Sequence, residues 1–398
     1  MFLSREEELM LDGEFGEAVE LAARVVVKVA EVLGASRLMP IKSAHISGIS
    51  YKNIGDAGLE FLKELTEKNA HFRVPTTINP AGFDFNKWQK MKIDDKFFIK
   101  QCEIVNSFSK MGARITLSCI PYTFNKPAFG DHIAWSESNA VLYANSIIGA
   151  RTNREGGPLA IFEAIIGRAP YMGLHLTVNR QPNIYVDFTE VVKVGFSPSL
   201  LGYTLGVLVK NGVPFVKPTS FLTNIEDIKM FLAAVGASSS IAMVLLDKYS
   251  PEAKLNRYKL ETLEKITVSI SDVEMSKEKI SKALDNIDAF LIGCPHLSCD
   301  EIRKIYLFLE NRRIIRRLIL FTSRDIIEKN KSMLERLEKS GVEIYADTCM
   351  VVSEIANLGL KNVAVDSAKA AYYLTSQGYN VSLLNRKDIL ESVSGDYP

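Results

Sequence analysis

No run of about 20 apolar residues occurs in this chain, so no membrane-spanning helix is expected. Its opening, MFLSREEELMLDGEFG, is charged and helical and lacks the apolar core of a signal peptide. A cytoplasmic location is the expectation. An excess of charge is also lacking: Lys plus Arg number 48 and Asp plus Glu 47, a formal net charge of +1. Nothing in that balance draws the chain to nucleic acid or to an anionic membrane. Cysteine is scarce, with five residues in 398. The odd number and the missing CxxC pair argue against a disulfide framework and a zinc ribbon, and favour thiols, ligands or catalytic groups. P-loop, GxGxxG and GxSxG patterns are absent as well.

What is present is an ordinary globular composition, 47% hydrophobic and 24% charged. A chain of 398 residues exceeds the single-core limit of roughly 250–300, so several domains are expected. We divide it into an N-terminal α/β unit at 1–150, a middle α/β unit at 151–284 and a C-terminal βαβ unit at 285–398. Ser4 and Glu7 fit a capping box, and residues 16–33 carry the apolar stripe of a helix. HISGISYKNIGDAG reads as a Gly-rich turn before the helix GLEFLKELTEKN. HFRVPTTINP reads as a short strand, and KFFIKQCEIVNSFSKMG as a helix feeding the strand ARITLSC. Residues 119–158 look too polar for a core element and too rich in interleaved apolar residues for disorder, which suggests a functional loop. From about 159 to 230 the pattern turns Gly- and β-rich, as in GYTLGVLVKNGVPFVKP. In the last 110 residues DAFLIG, RLILFT, VEIYAD, NVAVD and NVSLLN alternate with helical stretches, the signature of a parallel sheet.

Three of the cysteines sit where a strand-like run meets a turn: Cys119 after ARITLS, Cys294 after DAFLIG and Cys349 after VEIYADT. In open α/β sheets ligands collect beyond the carboxyl ends of the strands. Three thiolates gathered there can hold a soft metal or an iron–sulfur cluster. Taken singly, each cysteine reads more readily as a buried packing residue than as a ligand. Cys102 falls inside a helix and is read as core; Cys299 opens a helix and is read as core or a spare ligand. Asp131-His132 is a candidate acid/base pair, and His45 and His296 are candidate supports for a site. Arg151, Asn153, Arg154, Gly156 and Gly157 suit a carboxylate or phosphate, and equally a solvated loop. Ser47-Gly48-Ile49-Ser50 can present backbone amides to an anion.

Taken in order, LSREEELMLDGEFG, HISGISYKNIGDAGLEF, VPTTINP, LSCIPY, GDHIAWSESNAVLYANSIIGARTNREGGP, GCPH, ADTC and DSAKAAYY resemble the motifs of the aconitase X family. The resemblance runs from about residue 3 to about 378. It implies a multi-domain, aconitase-like α/β fold, with parallel or mixed sheets flanked by helices and a cluster at the strand ends. It implies an iron–sulfur hydro-lyase with a 4Fe-4S cluster on Cys119, Cys294 and Cys349, the cysteines selected above by their strand-end positions. It further implies a phosphorylated hydroxy acid as substrate: (R)-5-phosphomevalonate, dehydrated to trans-anhydromevalonate 5-phosphate on a mevalonate route to isoprenoids. Substrate contacts carry over to Gly48, Ile49, Ser50, Asn79, Pro80, Asn139, Ala140, Ser367 and Ala368. Ala368 departs from a common family Gly, and its Cβ reduces backbone approach there.

In aconitase-like enzymes the base is a serine on a small swivelling domain. This chain is expected to lack that domain and to pair with a small subunit as a heterodimer. One rival within the family is dehydration of cis-3-hydroxy-L-proline. Another, of a different class, is a non-catalytic relative that binds RNA; neutral charge and the three cysteines speak against it. A zinc or mononuclear iron site is a third alternative.

Overall fold

A computed structural model describes residues 1–256 and 258–396. Its C-terminal part is a five-stranded, all-parallel sheet. The order is Glu343–Tyr345, Leu318–Thr322, Ala289–Leu297, Asn362–Val365 and Asn380–Leu383. These are the five runs expected from the sequence. Helices cover both faces of such a sheet, so its central strands read as unbroken apolar stretches; Ala289–Leu297 is buried throughout.

The middle part carries a four-stranded parallel sheet, ordered Leu245–Leu246, Pro214–Lys217, Ile184–Asp187 and Glu264–Thr267. The N-terminal part has a three-stranded parallel sheet, ordered Thr76–Ile78, Ala44–Ile46 and Ala134–Trp135. Two short antiparallel pairs complete the strands: Leu38–Pro40 with Arg168–Pro170, and Arg312–Ile314 with Ser394–Asp396. The capping box forms as expected, with Ser4 and Glu7 each bonding the other's backbone amide ahead of helix Arg5–Leu11. The first hydrophobic core includes Ala22, Val26 and Leu62, and it continues into helix Gly157–Ile166 through Ala160, Ile165 and Ile166.

Four segments differ from the sequence expectation. YKNIGDAG is the start of helix Tyr51–Glu67 rather than a turn; Gly55, at φ +57, only kinks that helix. GYTLGVLV belongs to helix Pro198–Val209, which is buried on nearly every side and therefore shows no polar face to mark its period. ARITLS is an extended segment alongside Thr76–Ile78, bridged at Thr77 and Arg114, but Leu117 at φ +43 breaks it as a strand. The polar segment 119–158 contains core: strand Ala134–Trp135, helix Ser138–Tyr143 and the π-type turn Ala144–Ile148 are largely buried. Its polar residues are spent internally. Asn145 donates to the Thr152 and Ala242 carbonyls and accepts from Arg180, and Ser146 Oγ accepts the Val244 amide.

Candidate metal centre and substrate cleft

Three separate stretches of chain bring the cysteines together. Cys119 follows the extended segment, which is tied to its neighbouring strand by Arg114 N–Thr76 O at 2.8 Å and Ser118 N–Ile78 O at 3.1 Å. Cys294 lies inside strand Ala289–Leu297, not after it. The pairing with Leu318–Thr322 slips between Ile292 and Leu297, so the strand bulges at the cysteine. Gly293 makes this possible: its φ is +123, and a Cβ there would stand 2.3 Å from the Phe321 carbonyl oxygen. Cys349 follows strand Glu343–Tyr345 through a turn with Asp347 at φ +63. Arg324 fastens that turn by bonding both Asp347 and Asp84, while Asp84 accepts the Ala346 amide at 2.8 Å.

His296 joins all three loops. Its backbone N–H donates to Cys119 Sγ at 3.3 Å. Its Nε2 stands 2.8 Å from the Thr348 carbonyl, and its Nδ1 stands 3.2 Å from Ser118 Oγ. A carbonyl only accepts, so Nε2 carries the proton and Nδ1 accepts from the serine hydroxyl. Burial pushes this imidazole down to about 4, which keeps that neutral tautomer.

The three sulfurs line one cleft of about 610 Å³ together with Gly48, Ile49, Ser50, Asn79 and Pro80. That is a fitting size for a small ligand. The amides of Gly48, Ile49 and Ser50 have no hydrogen-bond acceptor among the described residues. They stand just ahead of helix Tyr51–Glu67, with Gly48 at φ +72, which suits an anion. Lys52 and Arg154 also border the cleft; Arg154 is anchored to the carbonyls of Gly236 and Ser239. Glu155 lies there too, its carboxyl pushed up to about 7 by burial.

Two further lining groups were not among the expected substrate contacts. Glu137 precedes helix Ser138–Tyr143, and Lys369 lies in the first turn of helix Ala368–Ser376; they pair at 2.5 Å across 232 residues. Burial opposes charge on Glu137, but the Lys369 ammonium and the Asn79 amide overrule it and hold the carboxyl down to about 2. Asn79 Nδ2 donates to Glu137 Oε2 at 2.8 Å, so its Oδ1 faces His45 Nε2 at 2.9 Å. His45 Nε2 therefore carries the proton, and Nδ1 accepts from Thr77 Oγ1 at 2.8 Å. Burial takes His45 down to about 4, and like His296 it acts as a neutral strut.

Of the other sequence candidates, all but Ser47 and Gly156 fall outside this lining. Asn139 Nδ2 donates to the Cys119 carbonyl at 2.6 Å, so it braces a cysteine loop, and Ala140 is buried beside it. Ser367 Oγ caps its own helix and the Ala368 amide donates to Ser199 Oγ at 2.8 Å; the cleft takes the next residue, Lys369, instead. Asp131 accepts the Ala128 amide and does not orient His132, whose Nδ1 meets His175 Nδ1 at 2.8 Å. Arg151 bonds the His175 carbonyl, and Asn153 accepts the Leu174 amide. Gly156 lines the cleft, and Gly157 packs against Ser47, where a Cβ would come within 2.7 Å of its carbonyl oxygen. Cys102 and Cys299 are half-buried on helices and do not line the cleft.

The donor set fits an iron–sulfur cluster. Burial pushes the Cys119 thiol up to about 12 and raises those of Cys294 and Cys349 as well, so three thiolates here require a cationic partner. Among the described residues no three His, Cys, Asp or Glu side chains close tightly enough to grip a single ion.

Fold and cleft together define an α/β protein that gathers three thiols and a loop of unpaired amides in one site. Family models for the first, second and third domains of aconitase X match residues 1–178, 182–278 and 287–395. The chain belongs to the aconitase X family. The phosphomevalonate dehydratase large subunit of Methanocaldococcus jannaschii is 41% identical over 385 residues, spanning 94% of this chain and 96% of that protein. A cis-3-hydroxy-L-proline dehydratase of Pseudomonas aeruginosa is 32% identical over 383 residues, spanning 92% of this chain but 65% of that one. The crystal structure of Thermococcus kodakaraensis aconitase X in its holo-form aligns with a TM-score of 0.90 at 40% identity, over 99% of this chain and 100% of that one. No helix among the described residues is long and apolar enough to cross a membrane.

Proposed function

We infer that this chain is the large, catalytic subunit of a hydro-lyase that dehydrates (R)-5-phosphomevalonate to trans-anhydromevalonate 5-phosphate, a cytoplasmic step toward isoprenoids. The observation that carries the reading is one cleft lined by three cysteines from three distant segments and by an amide loop with unspent donors. Similarity to phosphomevalonate dehydratase large subunits over nearly the whole chain supports it. Cys119, Cys294 and Cys349 would hold a 4Fe-4S cluster with one iron free of protein ligands. When bound, the cluster supplies Lewis acidity for departure of the substrate hydroxyl.

The residues of the chain do the rest. The amides of Gly48, Ile49 and Ser50 receive the phosphate, with Lys52 and Arg154 adding positive charge at the rim. Asn79 and Pro80 shape the wall between that loop and the cysteines. His45, Asn79 and Glu137 form a fixed relay of hydrogen bonds, so the wall needs no reorganisation during reaction. We assign the proton-accepting base to a small partner subunit that closes over the cleft and excludes water. Lys52 and Arg154 at the rim suit a phosphate, a group that hydroxyproline lacks.

The test is turnover of 5-phosphomevalonate by anaerobically reconstituted protein, followed by NMR, with and without a co-expressed small subunit. Alkene formation only with both cluster and partner is expected. An intact cluster and partner that turn over hydroxyproline but not 5-phosphomevalonate would overturn the substrate.

A further inference from the structure

Lys369 is an ammonium placed at 7% exposure in a cleft lined by three thiols. An ammonium has three N–H donors. Among the described residues it spends one, on Glu137 Oε1 at 2.5 Å. Two donors therefore remain in a site where desolvation penalises any unmet polar group. Glu137 in turn is fully committed. Oε1 accepts from Lys369 and Oε2 from Asn79, whose own orientation is set by His45. The chain Thr77–His45–Asn79–Glu137–Lys369 thus starts on a strand of the N-terminal sheet and ends in a charged group with spare donors.

Resting on the dehydratase reading, the geometry points to Lys369 as the catalytic residue that holds the carboxylate of the substrate and takes up charge on it during reaction. Both 5-phosphomevalonate and cis-3-hydroxyproline carry their hydroxyl on the carbon β to a carboxylate. In their dehydration the C–H bond at the α carbon breaks and its proton goes to the base from the small subunit. The electron pair spreads into the adjacent carboxylate, whose oxygens gain negative charge. It then forms the C=C bond as the C–O bond breaks and hydroxide leaves; hydroxide and the proton make one water. A preorganised cation at the carboxylate is worth most when that charge is greatest. Lys369 then serves the carboxylate end, and the Gly48–Ser50 amides the phosphate end. Glu137 is a positioning residue that keeps the ammonium charged and aimed.

Replacing Lys369 alone would strand the Glu137 carboxylate, a buried unpaired charge. The test therefore uses the double variant Lys369→Met with Glu137→Gln, beside Lys369→Arg, in the reconstituted two-subunit enzyme. Removing a donor of this kind lowers kcat by about 10²–10³-fold. The double variant is expected to lose that much in kcat with a smaller change in KM, while iron and sulfide content stay at the wild-type level. Lys369→Arg should recover part of kcat. Wild type should bind 5-phosphomevalonate more tightly than its carboxamide analogue, and the double variant should lose that preference. An undiminished kcat, or a preference for the acid that survives in the variant, would overturn the assignment. So would loss of iron in step with activity, which would make Lys369 a counter-charge for the thiolates. If wild type acts on hydroxyproline instead, the substrate reading fails, and Lys369 is judged by the same measurements on that acid.

Discussion

At the scale of single residues, the imidazole of His296 meets the neighbours of two cysteines, and its own amide reaches the sulfur of one of them. Loss of a group that orients metal ligands typically costs 10–100-fold in metal affinity. His296→Ala is therefore expected to lose iron to a chelator at least about 10-fold faster than wild type, with the fold retained. Equal loss rates, followed by the decay of cluster absorbance, would remove His296 from this role. Each of the three cysteines follows an apolar run in the sequence, at a turn for Cys119 and Cys349 and at a bulge inside its strand for Cys294. Glu137 and Lys369 lie in motifs that carry the resemblance, but their pairing joins residues 232 positions apart and could not be read from the sequence. Asn139, Ala140, Ser367 and Ala368 sit next to lining residues rather than on the lining, a difference of one or two positions that motif matching does not resolve.

At the scale of elements, the bulge in strand Ala289–Leu297 turns Cys294 toward the cleft, and Gly293 permits it. A Cβ at Gly293 would meet the Phe321 carbonyl at 2.3 Å and its amide nitrogen at 2.9 Å, both backbone atoms with nowhere to go. Gly359, also at positive φ, has open space around it. Gly359→Ala should cost about 1–2 kcal/mol from backbone strain alone. Gly293→Ala should cost at least about 3 kcal/mol, strain and overlap combined, and should weaken iron binding. Denaturant melts of the two variants decide this; equal midpoints would mean the bulge accommodates a side chain. The five strands of the last sheet could be read from sequence because parallel buried strands are plain apolar runs between helices. Helix Pro198–Val209 could not, since a helix buried all round has no amphipathic period, and its Gly, Thr and Val imitate strand composition.

At the scale of the whole molecule, the cysteine loops are fastened by charges from distant segments. Lys229, on helix Ile225–Ser238, bonds both the His296 carbonyl and Glu301, and Arg386 bonds Glu301 and Asp366. Arg324 does the same for the Cys349 turn through Asp84 and Asp347. These bonds hold loops from the first and last sheets at one cleft. Each stretch alone would carry one or two thiols and no site. The account stands on the claim that this convergence is a single cluster site. The most direct measurement is iron and acid-labile sulfide per chain after anaerobic reconstitution, in wild type and in five single Cys→Ser variants. Cys119→Ser, Cys294→Ser and Cys349→Ser should each lose most of both, while Cys102→Ser and Cys299→Ser match wild type. A full complement of iron and sulfide in any of the first three, or its loss in either of the last two, would contradict the account.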